Sequence, residues 1–295
     1  MPITLYNEDC ITGIPKHIAR ESIDLIIADP PYFKVVNEKW DYAWKTEIEY
    51  LEWTRKWIEE CYNVLRIGGT LYLFGYFRIL VKLLPILENC GFELRQQIIL
   101  NKGIQAVSGR ATKNYKMFPN VTESILFLYK DNKPFVKKFL KDRQNELGLS
   151  SKDINDALGL KSNGGGMWSI YTGNNVDKQM PTKEIWEKLK VILDFDIQYE
   201  KISQTFNVIQ GITDVWDDIN FYGEEGRFHP TQKPLKLIDR LILASSNKGD
   251  TILDPFSGSG TVALSCKINC RNFYGFEIDS DYYIKSLERL NIIEL

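Results

Sequence analysis

Short apolar runs alternate with longer stretches whose apolar positions recur every three to four residues, which predicts strands and helices in turn. "ITLY" (3–6) and "SIDLIIA" (22–28) predict buried strands separated by a short helix. "TEIEYLEWTRKWIEECYNVL" (46–65) predicts a long amphipathic helix that opens with Thr46 and Glu49 in capping-box spacing and closes before Gly68-Gly69. "TLYLFG" (70–75) predicts a further buried strand, "FRILVKLLPILENC" (77–90) a helix ended by Gly91, and "ELRQQIIL" (93–100) and "ESILFLY" (123–129) two more strands.

The rhythm breaks between residues 131 and 227. Short helices are expected at "SSKDINDALGL" and "TKEIWEKLKVIL" and a loop at "NGGGMWSIYTG", and together with the acidic stretch "DVWDDINFYGEEG" they show no clear strand-helix rhythm. Alternation resumes at "HPTQKPLKLIDRLILASS", where Pro234 suits the first turn of a helix. Strand "DTILD", a glycine turn, helix "GTVALSCKI", strand "NFYGFEI" and a last helix from Ser280 follow. Three parts result: 1–130, an inserted module at 131–227, and 228–295.

Composition narrows the class without naming a chemistry. The 295 residues are 44% hydrophobic and 26% charged with a mean hydropathy of −0.26, as in a globular protein large enough for an α/β domain with an insert. The richest apolar run, "ILVKLLPIL", carries Lys82 and Pro85, and no basic region followed by an apolar core opens the chain, so neither a membrane span nor an export signal is expected. Five cysteines without a C-x-x-C pair fit a reducing, cytoplasmic compartment, and Cys266 and Cys270, one helical turn apart, are expected to pack in the core. With only His17 and His229 present, no metal site is expected. The net charge of −2 does not point to nucleic acid, but residues 101–145 hold ten Lys and Arg, Lys102, Arg110, Lys113 and Lys130 among them, against Glu123, Asp131 and Asp142. A solvated face and a phosphate-facing patch both account for that excess.

Two stretches carry candidate chemistry. In "ILDPFSGSGTVA" a strand ends at Asp254 and Gly258-Ser259-Gly260 turns the chain into a helix, so that a ligand can approach bare amides at the helix start. The next strand ends at Glu277, seventeen residues beyond Gly260, about where a nucleotide fold places an acid for ribose hydroxyls. "GSGTVA" also satisfies G-x-G-x-x-G/A, a pattern shared with plain strand-helix turns. Only 35 residues follow Gly260, so the remaining strands of such a sheet must come from earlier in the chain, in a circularly permuted order.

In that sheet "IIADPPYF" (26–33) also ends a parallel strand at its carboxyl edge, where open α/β sheets bind ligands. Pro30 and Pro31 fix φ and donate nothing, leaving the Pro30 carbonyl free to accept beside the Asp29 carboxylate. Two acceptors with the Tyr32 ring alongside suit an amino group on a flat ring. Accepting both N–H hydrogens draws the nitrogen toward tetrahedral geometry and frees its lone pair to attack a sulfonium methyl, with no metal and no covalent nucleophile. A carboxyl near its reference pKa of about 3.9 is too weak a base to strip the amine first, so proton loss follows transfer. A plain strand-ending turn is the alternative reading of the tetrapeptide.

With both motifs present, "LYNEDC", "IADPPY", "GGTLYLFG", "FHPTQKP" and "ILDPFSGSGT...GFEID" resemble the S-adenosylmethionine-dependent DNA amino-methyltransferases of the β group, over roughly residues 3–130 and 228–295. The resemblance implies a permuted Rossmann-like sheet of about seven mostly parallel strands with a mainly helical target-recognition region at 131–227. It implies that Asp29, Pro30, Pro31 and Tyr32 hold a base flipped out of double-stranded DNA. Asp254, Pro255, Phe256, Ser257, Gly258, Ser259, Gly260 and Thr261 would line the cofactor's methionine end and Glu277 its ribose, with Asp9 and Cys10 near its adenine and Thr231 and Lys233 also at its pocket. Asp9 as a helix cap and Lys233 as a surface charge are the plainer readings.

An acid at the first motif position resembles adenine-N6 enzymes, whereas serine there is commoner in cytosine-N4 enzymes. The resemblance therefore implies adenine-N6 methylation in a restriction-modification setting, compatible with a homodimer and a separate endonuclease. Cytosine-N4 methylation, a silent DNA-binding subunit and an NAD-dependent dehydrogenase are the other readings, the last leaving "DPPY" unexplained. For Trp168 and Trp186 a helix-turn-helix-like reader and ordinary helical core packing both remain open.

Overall fold

The computed structural model describes every residue except 36–38, 108–115, 117, 160–165, 174–178, 224–225 and 292–295. Two compact units emerge, one of residues 1–130 and 205–295, the other Asp131–Gln204.

The larger unit is built on eight strands: β1 (Ile3–Tyr6), β2 (Ile23–Ala28), β3 (Leu65–Gly75), β4 (Phe92–Asn101), β5 (Thr122–Lys130), β6 (Val215–Trp216), β7 (Thr251–Asp254) and β8 (Asn272–Phe276). They lie in the order β1-β8-β7-β2-β3-β5-β4-β6, one strand more than expected. All pairings are parallel except those of β5 with β3 and β4. β7, which leads into the glycine turn, sits mid-sheet although it comes late in the chain. That is the permuted order expected from the short tail after Gly260.

Helices α1 (Cys10–His17), α2 (Glu47–Val64), α3 (Phe77–Cys90), α8 (Leu235–Ser245), α9 (Thr261–Ile268) and α10 (Ser280–Arg289) belong to this unit. Alternate residues of β2 feed opposite faces: Leu25 and Ile27 join one buried cluster with Leu237 and Val262, Ile26 and Ala28 the other with Trp57 and Leu83. Burial on both faces explains why β2 reads as a continuous apolar run rather than an alternating one. Thr46 caps α2 by accepting from the Glu49 amide, and Gly91 ends α3 at φ 103°. Helix α2 runs directly into β3, which begins at Leu65, five residues earlier than "TLYLFG" suggested.

Two sequence expectations change here. The insert ends at Gln204, and 205–227 belong to the larger unit. Within that stretch β6 pairs with β4, Leu100 opposite Trp216, and Trp216, Ile219 and Phe221 enter the core beside Leu237. The surrounding acids hid these three apolar residues because a two-residue strand has no period to detect. Cys270 is exposed, with φ 61°, while Cys266 is buried as expected.

The smaller unit packs α4 (Lys133–Glu146), α5 (Ser151–Ala157), α6 (Gly166–Thr172) and α7 (Lys183–Ile192) around Leu140, Ile154, Trp168, Trp186 and Leu189. Part of the expected loop "NGGGMWSIYTG" is thus helix α6, because Trp168 and Tyr171, three residues apart, share one inward face. Asn163, Gly164 and Gly165 lie outside the described residues. Trp168 Nε1 donates to Gln144 Oε1 at 3.0 Å and Trp186 Nε1 to the Ile197 carbonyl at 2.7 Å, so both tryptophans are core residues with satisfied polar ends. Trp186→Ala is expected to cost about 3–5 kcal/mol in urea unfolding monitored on the whole chain; a loss below about 1 kcal/mol would contradict this packing.

The basic stretch divides between the units at Lys130. Lys130 is buried, donating to the Tyr62 and Leu65 carbonyls at 3.1 and 2.9 Å and pairing with Glu21. Lys102 pairs with Glu123 at 2.5 Å. These two cations serve the interior rather than a phosphate-facing surface. Arg110 and Lys113 lie outside the described residues. Among the described residues no helix is long and apolar enough to cross a membrane.

Candidate active site

Strand β2 delivers the chain to Asp29, and Pro30 and Pro31 then prevent further pairing. The turn is held from below by α2: Tyr50 Oη donates to the Pro31 carbonyl at 2.8 Å, and Phe33 stacks on the Tyr50 ring at 5.4 Å. Phe33 and Lys34, both at φ 59°, turn the chain away in the left-handed region. Among the described residues no hydrogen-bond donor engages the Pro30 carbonyl.

The glycine turn follows β7, the strand beside β2, with Ile26 opposite Leu253. Gly258 and Gly260 adopt φ 48° and 70°, conformations that admit glycine without strain. Phe256 N donates to Asp254 Oδ1 at 2.9 Å, and Ser257 N to the Phe276 carbonyl at 2.9 Å, pinning the turn to β8. Just past β8, Glu277 accepts from Gly258 N at 2.7 Å and Asp279 N at 2.8 Å, one on each carboxylate oxygen. Burial pushes the carboxyl pKa values of Glu277 and Asp254 upward. Arg289 donates to Thr261 Oγ1 at 2.9 Å and to the Ser259 carbonyl at 3.1 Å, which fixes the start of α9 from α10.

Both turns open into one cavity of about 620 Å³ within the larger unit. Every residue singled out from the sequence lines it except Gly260, which supplies the left-handed N-cap of α9. Asp9 is the helix cap the plainer reading expected, its Oδ1 accepting from Ile11 N at 2.7 Å, and it also lines the cavity next to Cys10. Thr231 also lines the cavity, its amide donating to His229 Nδ1 at 3.3 Å. Trp53 and Phe256, with ring centroids 5.7 Å apart, add an apolar side.

Lys233 lines the cavity and is no surface charge: it is 9% exposed, and its ammonium lies 3.1 Å from Asp29 Oδ2, 2.7 Å from Glu123 Oε1 and 3.2 Å from Tyr32 Oη. It contacts the Asp-Pro-Pro-Tyr turn. Tyr32 Oη in turn lies 2.5 Å from Asp29 Oδ1 and 2.6 Å from Glu123 Oε1, and its ring meets Tyr76 edge-on at 5.4 Å. Burial raises the Asp29 pKa, Lys233 opposes that, and Glu123 adds to it. For Glu123 burial acts in the same direction, but Lys233 and Lys102 outweigh it and hold the carboxyl at about 2.

Glu123, Lys102 and His229 were not anticipated as site residues. Glu123 occupies the second position of β5, and its one sequence signal is an acid at the head of an otherwise apolar run. His229 stacks near Trp40 and Tyr282, its pKa lowered to about 4 by burial and by Lys233, so it is a neutral wall of the cavity at neutral pH.

Known proteins resemble this chain in sequence and in fold. A DNA methylase family model matches residues 23–288. Type II methyltransferase M.HpaI of Haemophilus parainfluenzae is 29% identical over 283 residues, covering 94% of this chain and 70% of that protein. DNA adenine methyltransferase YhdJ of Escherichia coli (strain K12) is 28% identical over 298 residues, covering 98% and 83%. Among solved structures, the M1.HpyAVI–SAM complex matches with a TM-score of 0.59 at 20% identity over 98% of each chain. The cytosine-N4-specific PvuII DNA methyltransferase matches with a TM-score of 0.56 at 16% identity, over 99% of this chain and 88% of that one. These two likenesses establish the fold. The matched span contains the Asp-Pro-Pro-Tyr turn, the glycine turn and Glu277, and the chain belongs to the DNA methylase family.

Proposed function

We propose that this protein methylates the exocyclic N6 amine of an adenine flipped out of double-stranded DNA, with S-adenosylmethionine as cofactor and the helical unit Asp131–Gln204 taking part in target recognition. The observation that carries the reading is the shared cavity: Asp29 and Pro30 at the end of β2 line the same space as the glycine turn at the end of the neighbouring β7.

The residues present suit that cofactor. A cavity of about 620 Å³ is within the usual range for a small-molecule site. Glu277 offers carboxylate lone pairs for ribose hydroxyls, the turn from Ser257 to Gly260 presents backbone without bulky side chains, and Trp53 and Phe256 add an apolar wall. When bound, the cofactor supplies an electrophilic sulfonium methyl.

The chain's own residues then prepare the nucleophile. Asp29 and the Pro30 carbonyl accept the two amine hydrogens, while Tyr32, its hydroxyl anchored, presents its ring to the base. After transfer the nitrogen is positively charged, and its proton passes to Asp29, whose burial makes it a better acceptor than a solvated carboxylate. Support for adenine comes from the acid at position 29 and from the relative named as an adenine methyltransferase. Incubating the protein with DNA and cofactor, digesting to nucleosides and analysing them by mass spectrometry should yield N6-methyldeoxyadenosine. A product containing N4-methyldeoxycytidine alone would reverse the choice of base.

A further inference from the structure

The adenine-N6 reading uses Asp29, Pro30 and Tyr32 but assigns nothing to Glu123, a carboxylate 2% exposed within hydrogen-bonding distance of three of the cluster's side chains. Burying an ionised carboxylate costs several kcal/mol unless it is well paired. Here the pairing is unequal. Lys233 lies nearer Glu123, at 2.7 Å, than Asp29, at 3.1 Å, and Lys102 holds the other Glu123 oxygen at 2.5 Å. Tyr32 Oη lies within reach of both carboxylates, yet a phenol has one hydrogen and serves one of them at a time.

Resting on that reading, we infer that Glu123 is a positioning residue that draws the Tyr32 hydrogen and the Lys233 ammonium toward itself, leaving Asp29 with lone pairs free for the substrate amine. Tyr32 Oη lies 2.5 Å from Asp29 Oδ1 and 2.6 Å from Glu123 Oε1, so whenever it donates to Glu123, Asp29 Oδ1 is left without that donor. The same bond fixes the Tyr32 ring, since its hydroxyl is then tied to β5 across the sheet edge. Without the Glu123 charge both donors shift to Asp29. That carboxylate becomes fully satisfied and less basic, and accepts the amine hydrogen poorly.

The test is Glu123→Gln, which keeps shape and removes charge. Single-turnover methylation of duplex DNA is followed across pH, with cofactor affinity from calorimetry and thermal melting as separate readouts. Cofactor affinity should match wild type, the rate should fall about tenfold or more, and the acidic limb of the rate profile should move to lower pH, because an anion beside Asp29 is gone and its donors now favour the charged form. Glu123→Asp, which retains the charge, should return the limb toward the wild-type position. An unchanged rate, or a slower rate with an unmoved limb, overturns the assignment. If Glu123→Gln does not melt cooperatively, Lys102→Met is measured instead: removing a cation should move the limb to higher pH, and an unmoved limb overturns the assignment equally. A wild-type chain that methylates no base overturns the functional reading and this inference with it, whereas an active wild type with an unmoved limb overturns the role of Glu123 alone.

Discussion

Asp29→Ala abolishes methyl transfer, lowering the single-turnover rate by about a thousandfold or more while cofactor affinity stays within about twofold of wild type. Two effects combine to make the loss large. The amine loses one of the two acceptors that free its lone pair, and the proton released after transfer loses its destination. The split between rate and affinity follows from position: Asp29 follows β2, while the amides that cradle the cofactor turn follow β7 and are held by Glu277 and the Phe276 carbonyl. Rapid-quench methylation assays with calorimetric cofactor titration separate the two quantities. Retained activity would remove Asp29 from the reaction, and lost cofactor binding would mean that the variant acts through folding.

Lys233→Met destabilises the protein by about 3–5 kcal/mol, the cost of removing one partner from a buried ion cluster. Methionine fills much of the volume, so the loss comes from charge: Glu123 and Asp29 are left facing each other beside Tyr32 with only Lys102 on the far oxygen of Glu123. The dependence on pH gives the sign. Burial alone would raise the Glu123 pKa, yet Lys233 and Lys102 depress it from 4.5 to about 2. A depressed carboxyl contributes stability that is present above its unfolded pKa and lost as pH falls through the folded one. Wild-type stability should therefore decline as pH drops from about 4.5 toward about 2, and that decline should be smaller in Lys233→Met. Urea unfolding at several pH values measures both slopes. Equal stability of the two proteins at neutral pH would show that Lys233 does not pair with these carboxylates.

Much of the larger unit was legible because its signals are local. The apolar run ending at Asp29, the capping spacing of Thr46 and Glu49, and the left-handed glycines at 258 and 260 each depend on backbone and side-chain properties within a few residues. The permuted order is seen in the sheet itself, where β7, late in the chain, lies between β8 and β2. Signals failed where local pattern and tertiary role diverge. Strand β6 is two residues long, and the boundary at Gln204 rather than 227 depends on Trp216 finding β4, 116 positions before it in the register Leu100 to Trp216. Helix α6 was obscured by glycines whose propensity predicts a loop, until Trp168 found a core to fill.

The chemistry divides the same way. Sequence alone determined which groups could act: two prolines that donate nothing, an acid and an aromatic beside them, and a glycine turn followed by an acid at the next strand end. Only the tertiary structure decided their electrostatic setting. Lys233, for which a surface charge was the plainer reading, is a buried cation that lines the cavity at the Asp-Pro-Pro-Tyr turn, and Glu123, read as the head of a strand, is its principal partner from 110 residues away. The physical reason is that propensity and periodicity are carried by neighbours along the chain. The ionisation and hydrogen bonding of a buried group depend on which side chains the sheet order brings within about 3 Å of it.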